Sequence, residues 1–344
     1  MQMMKMIMHK QALLTRAEAF APLAQTILSP DFDNIWVIAH CRPDEDCTGS
    51  SHGLAYMLKK LGKNAAVYCA DAFEAKYDSI LSPLNLPNRD NFAPCHFIAV
   101  DIASTELLGK NFPYTDSIDM VFDHHLKNTV EAKQKLVISD AAACGEIILT
   151  LGLVLHIEMD APLAHCLYTA IAGDTGCFRF SNTTHLTHLA AAYLYSYSDP
   201  ESFARLNRIY FEEKTKSRLR VEGYVLTHTG YYKDGKIGFV GLTKEEKDAL
   251  TSRESDFDQL ANLAKQCSDT EVGIVLHTLA DGSHKLSARS NSYFDCASFC
   301  ARLGGGGHFK AAGSTLWGEF SFLKNQIIDT AVELMEKYQR DGIA

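Results

Sequence analysis

Three side chains that commonly bind divalent metal ions stand close together after the first predicted strand. His40, Asp44 and Asp46 follow the apolar run 35–39, and a helical pattern begins soon after them. The β-branched residues of the run predict a strand. Open α/β sheets bind their ligands in loops at the carboxyl ends of strands. This stretch therefore predicts a metal site that the rest of the chain completes.

Further acids and histidines stand at the ends of other predicted elements. These elements are two apolar strands at 96–101 and 118–123 and a helix at 160–173. Strands that alternate with helices predict right-handed crossovers and a mostly parallel sheet, whose strands all end at one edge. We therefore expect the candidate ligands to converge there. They are His40, Asp44, Asp46, Asp101, His124 and Asp174.

The donor set indicates which metal ions would fit. Carboxylates suit Mg²⁺ and Mn²⁺, and the imidazoles favour Mn²⁺ over Mg²⁺. Four acids and two histidines exceed what one ion needs, whereas two ions about 3.5–4 Å apart with a bridging carboxylate would use them all. Each acid, Asp46 in particular, could instead be a helix N-cap or turn residue. The hypothesis of a metal site depends on the shared position of the acids.

Two residues beside the histidine ligand are candidates for catalysis. His125 is either a surface residue or a group that donates to a phosphate or to a leaving oxygen. Asp123 is a candidate for orienting one of the two neighbouring imidazoles, as carboxylates around metal sites commonly do.

A glycine run near the C-terminus is a candidate for binding an anion. The run 304–307 is too glycine-rich for a helix or strand interior, and it is either a flexible turn or a cradle of backbone amides. In the second case His308 and Lys310 add positive donors. Arg289 is either a surface charge or a bidentate ligand for a phosphate or a base.

The chain length predicts two domains, because a single hydrophobic core rarely grows beyond about 250–300 residues. We expect a first α/β domain with a mostly parallel sheet flanked by helices, a charged helical linker, and a smaller C-terminal α/β domain with a mixed sheet. Their predicted bounds are 1–198, 199–226 and 227–344. Other predicted helices lie at 11–28, 50–61, 144–156, 183–197, 200–223, 244–250, 256–266, 294–302 and 319–338, and other predicted strands at 65–70, 135–138, 236–242, 271–279 and 284–290.

Composition limits the partners and the compartment. The formal net charge of −9 argues against electrostatic capture of long duplex nucleic acid. Ten cysteines without a C-x-x-C pair favour a reducing, cytoplasmic location. The N-terminus lacks the features of a signal peptide, and no apolar stretch approaches the roughly 20 residues of a membrane span. We therefore expect no membrane partner.

The motifs together resemble the DHH phosphoesterase family with its DHH-associated C-terminal domain. The first family motif matches His-Cys-Arg-Pro-Asp-Glu-Asp-Cys-Thr-Gly-Ser at 40–50, and the naming motif matches Asp-His-His at 123–125. Asp101 in Val-Asp-Ile and Asp174 in Gly-Asp-Thr-Gly match two further acidic motifs. The C-terminal motif matches Gly-Gly-Gly-His-Phe-Lys-Ala-Ala-Gly at 305–313. Five motifs in this order are highly specific for the family.

The resemblance implies a role for each matching residue. One Mn²⁺ would be held by His40, Asp44 and Asp101, and a second by Asp46, Asp101, His124 and Asp174, with Mg²⁺ or Co²⁺ as alternatives. His125 would assist at the scissile phosphate. The substrate-binding residues would be Arg289, Gly305, Gly306, Gly307 and His308. Glu45 departs from the family pattern, because many members carry a small residue at that position.

Within the family, the compact layout resembles the hydrolases of short oligoribonucleotides and 3′-phosphoadenosine 5′-phosphate. The resemblance implies a Mn²⁺-dependent phosphoesterase that attacks oligoribonucleotides of about two to five nucleotides with a metal-activated water. 3′-Phosphoadenosine 5′-phosphate is a second candidate substrate. The alternatives are a phosphodiesterase for cyclic di-AMP or for pApA, and a nucleotide-binding sensor that has lost catalysis. A homodimer is left open.

Overall fold

The computed structural model describes residues 2–91, 93–110, 112–251 and 253–343. The chain divides into two compact units, which are unit 1 (Met1–Glu213) and unit 2 (Lys214–Ala344). All the candidate metal ligands lie in unit 1, and Arg289 and the glycine run lie in unit 2. Among the helices that the structure describes, none is both long and apolar enough to cross a membrane.

A sheet of five strands forms the centre of unit 1. The strands are β1 (Ile35–Ile38), β2 (Ala65–Tyr68), β3 (His96–Val100), β4 (Met120–Asp123) and β5 (Gln134–Val137). They are all parallel and lie in the order β2-β1-β3-β4-β5. The three central strands are almost entirely buried, as is usual for a parallel sheet. The predicted α/β fold class with a mostly parallel sheet is confirmed.

Helices of unit 1 pack around this sheet. They are α1 (Gln2–Leu13), α2 (Ala17–Leu28), α3 (Glu45–Lys60), α4 (Asp78–Leu81), α5 (Cys144–Val154), α6 (Ala161–Asp174), α7 (His185–Leu194) and α8 (Pro200–Asn207). Helix α6 begins where it was expected, because the Asp160 carboxylate accepts a hydrogen bond from Leu163 N at 3.1 Å. Helices α3 and α6 approach closely at Gly49, where an added Cβ would lie 2.3 Å from Cys166 O.

Three predicted helices in unit 1 and at its end differ from the structure. The predicted helix at 11–28 is two helices separated by a turn at 14–16. Helix α3 begins at Glu45 rather than at residue 50, because Asp44 caps it by accepting a hydrogen bond from Cys47 N at 3.0 Å. The predicted helix at 200–223 is broken after a π-helical turn, since Thr215 caps a new helix there.

Unit 2 is built on a mixed sheet of six strands. They are β6 (Gly230–Tyr232), β7 (Ile237–Leu242), β8 (Val272–Thr278), β9 (His284–Ser290), β10 (Gly306–His308) and β11 (Ala311–Leu316). They lie in the order β10-β11-β9-β8-β7-β6, and β7 and β8 are the parallel pair. The helices are α9 (Lys216–His228), α10 (Lys244–Leu250), α11 (Ala261–Ala264), α12 (Cys296–Arg302) and α13 (Phe320–Arg340). The predicted mixed sheet is confirmed.

The glycine run ends in a strand, and the expectation that its glycines are unsuited to one is wrong. Strand β10 pairs antiparallel with β11 at the edge of the sheet. An added Cβ at Gly305 would lie 2.2 Å from Gly313 O. At Gly307, whose φ is 147°, it would lie 2.6 Å from Ala311 O. Glycine is required here because the backbone of β11 passes so close.

The contact at Gly49 gives a test of the packing of α3 on α6. Gly49→Ala should lower the free energy of unfolding by about 1–3 kcal/mol or more, because the new methyl group meets backbone atoms that cannot rotate away. Gly223→Ala in α9 is the matched control, since nothing lies within 4 Å of its added Cβ. The control should gain about 0.5–1 kcal/mol. Urea unfolding measures both, and a Gly49→Ala protein as stable as wild type would contradict the packing.

A buried histidine in β8 should make unit 2 sensitive to acid. Burial, with the charges of Lys247 and Lys285, lowers the pKa of His277 to about 4. The unfolded chain therefore binds more protons than the folded chain between about pH 4 and 6.5, and stability is lost as the pH falls through that window. From pH 7 to 5 the loss is about 2 kcal/mol. In His277→Leu this part of the loss should disappear, as measured by amide hydrogen exchange within β8.

Candidate metal centre

The candidate ligands come together at the carboxyl edge of the sheet in unit 1. Strands β1, β3 and β4 are neighbours, and His40, Asp101 and His124 lie within two residues of their respective ends. Asp46 lies in the first turn of α3, and Asp174 is the last residue of α6. The close packing of α3 on α6 thus brings these two acids to the same edge.

Asp101 lies at the centre of the group. Its Oδ2 is 3.7 Å from His40 Nε2, and its Oδ1 is 3.5 Å from His124 Nε2. His124 Nε2 also lies 3.1 Å from Asp174 Oδ2 and 3.7 Å from Asp46 Oδ2. Asp101 has a φ of 60°, a conformation that is uncommon outside glycine and is often found at functional sites. The two carboxylate oxygens of Asp101 thus face different imidazoles, Oδ2 that of His40 and Oδ1 that of His124.

Asp44 lies on the outer side of this group. Its Oδ1 is 3.7 Å from His40 Nε2 and also accepts the capping hydrogen bond of α3. The position of Asp44 is therefore compatible with both interpretations of this residue, as a metal ligand and as a helix N-cap. We call the six residues the ligand cluster: His40, Asp44, Asp46, Asp101, His124 and Asp174.

The structure adds a thiol that the sequence reasoning missed. The donor atoms of His40, Cys47 and Asp101 all lie within 4.8 Å of one another, as do those of Asp46, His124 and Asp174. Cys47 Sγ also accepts a hydrogen bond from the backbone N–H of His40 at 3.1 Å. The signal that could have identified Cys47 is its position directly after Asp46, in the first turn of α3.

Asp46 is held in place by the N-terminus of α5. Its Oδ2 accepts a hydrogen bond from Cys144 N at 2.6 Å, and its Oδ1 accepts one from Gly145 N at 3.0 Å. Ser50 Oγ donates to the same Oδ1 at 2.7 Å. A helix N-terminus stabilises a negative charge. The carboxylate is therefore fixed in orientation although it is fully buried.

The electrostatics of the ligand cluster fit a bound cation. Burial and the nearby charges of Asp101 and Asp174 raise the pKa of Asp46 well above its ordinary value. Burial alone would lower the pKa of His124, but the neighbouring carboxylates of Asp101 and Asp174 raise it to about 12. Asp101 Oδ1 is buried and accepts no hydrogen bond from the described residues. Such an excess of buried carboxylate suits divalent cations.

His125 is oriented by Asp123. Its Nδ1 donates a hydrogen bond to Asp123 Oδ1 at 2.7 Å, and the ring remains partly exposed. Asn128 Nδ2 donates a hydrogen bond to Asp123 Oδ2, a contact that no sequence motif indicates. Burial would raise the pKa of Asp123, but the hydrogen bonds from His125 and Asn128 hold it below its ordinary value. The second ring nitrogen of His125, Nε2, is left for other partners.

Glu45, which departs from the family pattern, forms an ion pair. Its Oε1 accepts a hydrogen bond from Lys76 Nζ at 2.9 Å. Its Cβ also packs against Gly173, where an added Cβ would lie 2.4 Å away. Lys76 therefore offsets the additional negative charge beside the ligand cluster.

Two of the candidate substrate-binding residues of unit 2, Arg289 and His308, lie on one side of its sheet. Arg289 of β9 pairs with Ala311 of β11, which pairs in turn with His308 of β10. Arg289 and His308 therefore lie in one row across three strands. Burial, and then the charge of Lys310 with a smaller effect from Arg289, lowers the pKa of Lys265. Lys265, which the sequence analysis did not single out, therefore belongs to a basic group with Lys310 and Arg289.

Comparison with known proteins finds a family match within unit 1. Residues 34–171 match the DHH family, N-terminal domain. This part of the chain is similar to that domain. The match includes every member of the ligand cluster except Asp174, and the resemblance drawn from the motifs is confirmed.

Similar proteins cover most of the chain. It is 29% identical over 297 residues to the bifunctional oligoribonuclease and PAP phosphatase NrnA of Thermus thermophilus, with 83% of this chain and 84% of the relative covered. An exopolyphosphatase-related protein from Bacteroides fragilis has a similar structure, with a TM-score of 0.82 at 21% identity over 94% of this chain and 97% of that one. RecJ from Thermus thermophilus in complex with Mn²⁺ has a TM-score of 0.52 at 14% identity over 92% and 54%. At these identities the two structures show the fold alone.

The position of Asp101 predicts the effect of removing its charge. Asp101→Asn should weaken Mn²⁺ binding by at least about 100-fold, because the residue faces both imidazoles of the cluster. Isothermal titration calorimetry measures the affinity. Asp119→Asn is the matched control, a buried acid at the start of β4 that accepts hydrogen bonds from Phe97 N and Lys133. Equal losses in the two variants would show that the effect is structural.

Proposed function

We propose that this protein is a Mn²⁺-dependent hydrolase that cleaves phosphoester bonds in short oligoribonucleotides and in 3′-phosphoadenosine 5′-phosphate. The observation that carries the proposal is the convergence of six potential ligands at one sheet edge, with Asp101 facing both imidazoles. The similarity to the oligoribonuclease and PAP phosphatase of Thermus thermophilus supports the substrate class. The free state of all ten cysteines fits a reducing, cytoplasmic location.

Two divalent ions would be shared among the members of the ligand cluster. His40, Asp44 and Asp101 would hold one ion, and Asp46, Asp101, His124 and Asp174 would hold the other. When bound, such ions lower the pKa of a water molecule and neutralise the charge that develops on a phosphoryl group. The chain itself supplies the fixed geometry, because Asp46 is anchored to α5 and Asp101 is held between the histidines.

His125 would act on the phosphoester directly. Its Nδ1 donates a hydrogen bond to Asp123, which raises the pKa of His125 and favours the protonated ring. In that form Nε2 also carries a proton and can donate to a phosphate oxygen or to the leaving oxygen. The ring is partly exposed, so a substrate can reach it. Asn128 holds the second oxygen of Asp123 and thereby fixes the orientation of the pair.

Unit 2 would bind the negatively charged end of the substrate. Arg289 and His308 lie in one cross-strand row, and Lys265 and Lys310 bring further positive charge close to Arg289. The backbone of Gly305, Gly306 and Gly307 can approach a phosphate closely, because no side chain stands in the way. This small basic group suits a short nucleotide better than an extended duplex.

Hydrolysis assays with purified protein test the proposal. With Mn²⁺ the wild type should hydrolyse pApA and 3′-phosphoadenosine 5′-phosphate, and chelation with EDTA should abolish turnover. His125→Gln should lower kcat by about 100-fold to 10,000-fold, because proton transfer by a positioned group contributes that much. Asp119→Asn should keep its activity as the matched control.

The other outcomes of these assays separate the alternatives. Faster turnover of cyclic di-AMP than of pApA would identify a cyclic dinucleotide phosphodiesterase instead. Nucleotide binding without turnover at saturating Mn²⁺ would indicate a sensor. No metal-dependent turnover and no nucleotide binding would refute the proposal.

A further inference from the structure

Unit 1 contains a second concave site beside the ligand cluster. It is a pocket of about 610 Å³ next to β2, the outermost strand on that side of the sheet. Its walls come from α3, from the end of β2 with the segment 69–73, and from the segment 81–89. We call it the β2 pocket. None of the six residues of the ligand cluster lines it.

The β2 pocket adjoins the ligand cluster through two contacts between neighbouring loops. Cys69, in the pocket wall, donates from Sγ to His40 O at 3.2 Å. Asp71, also in the wall, accepts a hydrogen bond from Arg42 N at 2.7 Å. His52 follows Asp46 by six residues on α3, so their Cα atoms lie about 9 Å apart along the helix axis. Because the pocket wall contacts the loop that carries His40, one dinucleotide could reach both sites.

Two ring side chains form part of the pocket wall. The rings of His52 and Phe73 meet edge to face, with centroids 4.6 Å apart. His52 Nδ1 donates to Thr48 O at 2.9 Å, which leaves Nε2 as the acceptor nitrogen of the ring. Burial lowers the pKa of His52 to about 4, so the ring is neutral near pH 7. The wall thus offers aromatic surface and a neutral acceptor.

Arg89 supplies a fixed cation to the lining. Its guanidinium donates to Cys69 O and lies 4.6 Å from the centre of the Tyr68 ring. Such a held, planar cation can stack on a flat ring or donate to its edge. Asn85 and Asn88 add amide side chains to the same lining. These groups can hydrogen-bond to the polar edge of a heterocycle.

The charge of the lining argues against a phosphate as the occupant. Arg89 and Asp71 are the charged residues among those that line the pocket, and their charges cancel. Much of the remaining wall is apolar and includes Val67, Leu81 and Leu86. A phosphate group would need more positive charge than this lining offers. A flat, uncharged group with N–H donors fits the lining better.

We infer that the β2 pocket binds the base of one nucleotide of a short oligoribonucleotide whose scissile phosphate lies at the ligand cluster. The placement of that phosphate rests on the proposed function, whereas the recognition of the base rests on the lining of the pocket. The base must be unpaired and unstacked to enter. The pocket therefore selects single-stranded substrates over duplexes.

Photo-labelling tests base recognition without any need for turnover. With 8-azidoadenosine and no added metal, mass spectrometry should locate the label within residues 67–89 of the wild type. Phe73→Ala and His52→Phe should each lose this label. His165→Phe is the matched control, a partly buried histidine in α6 that contacts Ser198 and should keep the label. A label elsewhere, or one that persists in both pocket variants, would overturn the inference.

Kinetics then connect the pocket to the reaction. Phe73→Ala should raise the KM for pApA by about fivefold to 100-fold, the usual range for losing a stacked base. Two analogues of pApA, each lacking one of its two bases, extend this test. For the analogue that lacks the base bound in the pocket, Phe73→Ala should not raise the KM further. Equal increases for pApA and both analogues would indicate a general structural effect and overturn the inference.

The two proposals fail separately. If the wild type takes the label in the pocket but hydrolyses no nucleotide, the proposed function is wrong and the base pocket stands. If the wild type hydrolyses pApA while the pocket variants keep wild-type KM values, the inference is wrong and the proposed function stands.

Discussion

The burial of several carboxylates side by side is the constraint on which unit 1 depends. Asp46 is fully buried and Asp101 nearly so, and the nearby charges of other acids add to the cost of ionising them. Without a compensating charge such an arrangement is expensive, and buried acids then tend to take up protons. The protein offsets part of the cost with the N-terminus of α5 and with the imidazole of His124. A divalent cation would offset the rest.

This constraint accounts for the close packing of three helices around the ligand cluster. Asp46 can reach the first amides of α5 because α3 lies close against its neighbours. At Gly49 and Gly145, an added Cβ would fall 2.3 Å and 2.6 Å from atoms of α6. At Gly173 it would meet Glu45. These glycines therefore set the distances at which the acids meet, although none of them carries a functional group.

The sequence predicted the parts of the site that depend on strand ends. His40, Asp101 and His124 were expected together because parallel strands end at one edge, and the structure brings them together. Helix α3 begins earlier than the sequence predicts, because the carboxylate of Asp44, a candidate ligand, also accepts the hydrogen bond that caps the helix. Contacts such as Lys76 with Glu45 join residues far apart in the chain and leave no periodic signal.

In unit 2 and in the β2 pocket, too, only features with a local sequence pattern could be predicted. The strands of the β8–β9 hairpin lie close to their predicted bounds, because Asp281 and Gly282 between them are typical of a hairpin turn. The glycine strand β10 was missed, since its residues have no side chains whose alternation could indicate a strand. The β2 pocket is lined from three separate segments, and its existence follows from tertiary packing alone.

The charge of the ligand cluster also sets an order of events. A phosphate group that approached the bare carboxylates would meet like charge in a poorly solvated site, where repulsion is strong. Lys76 is already paired with Glu45, so it cannot fully offset this repulsion. In the proposed function, cations would therefore occupy the cluster before the scissile phosphate binds there. An uncharged base would meet no such barrier in the β2 pocket, so base recognition and phosphate recognition would depend differently on metal.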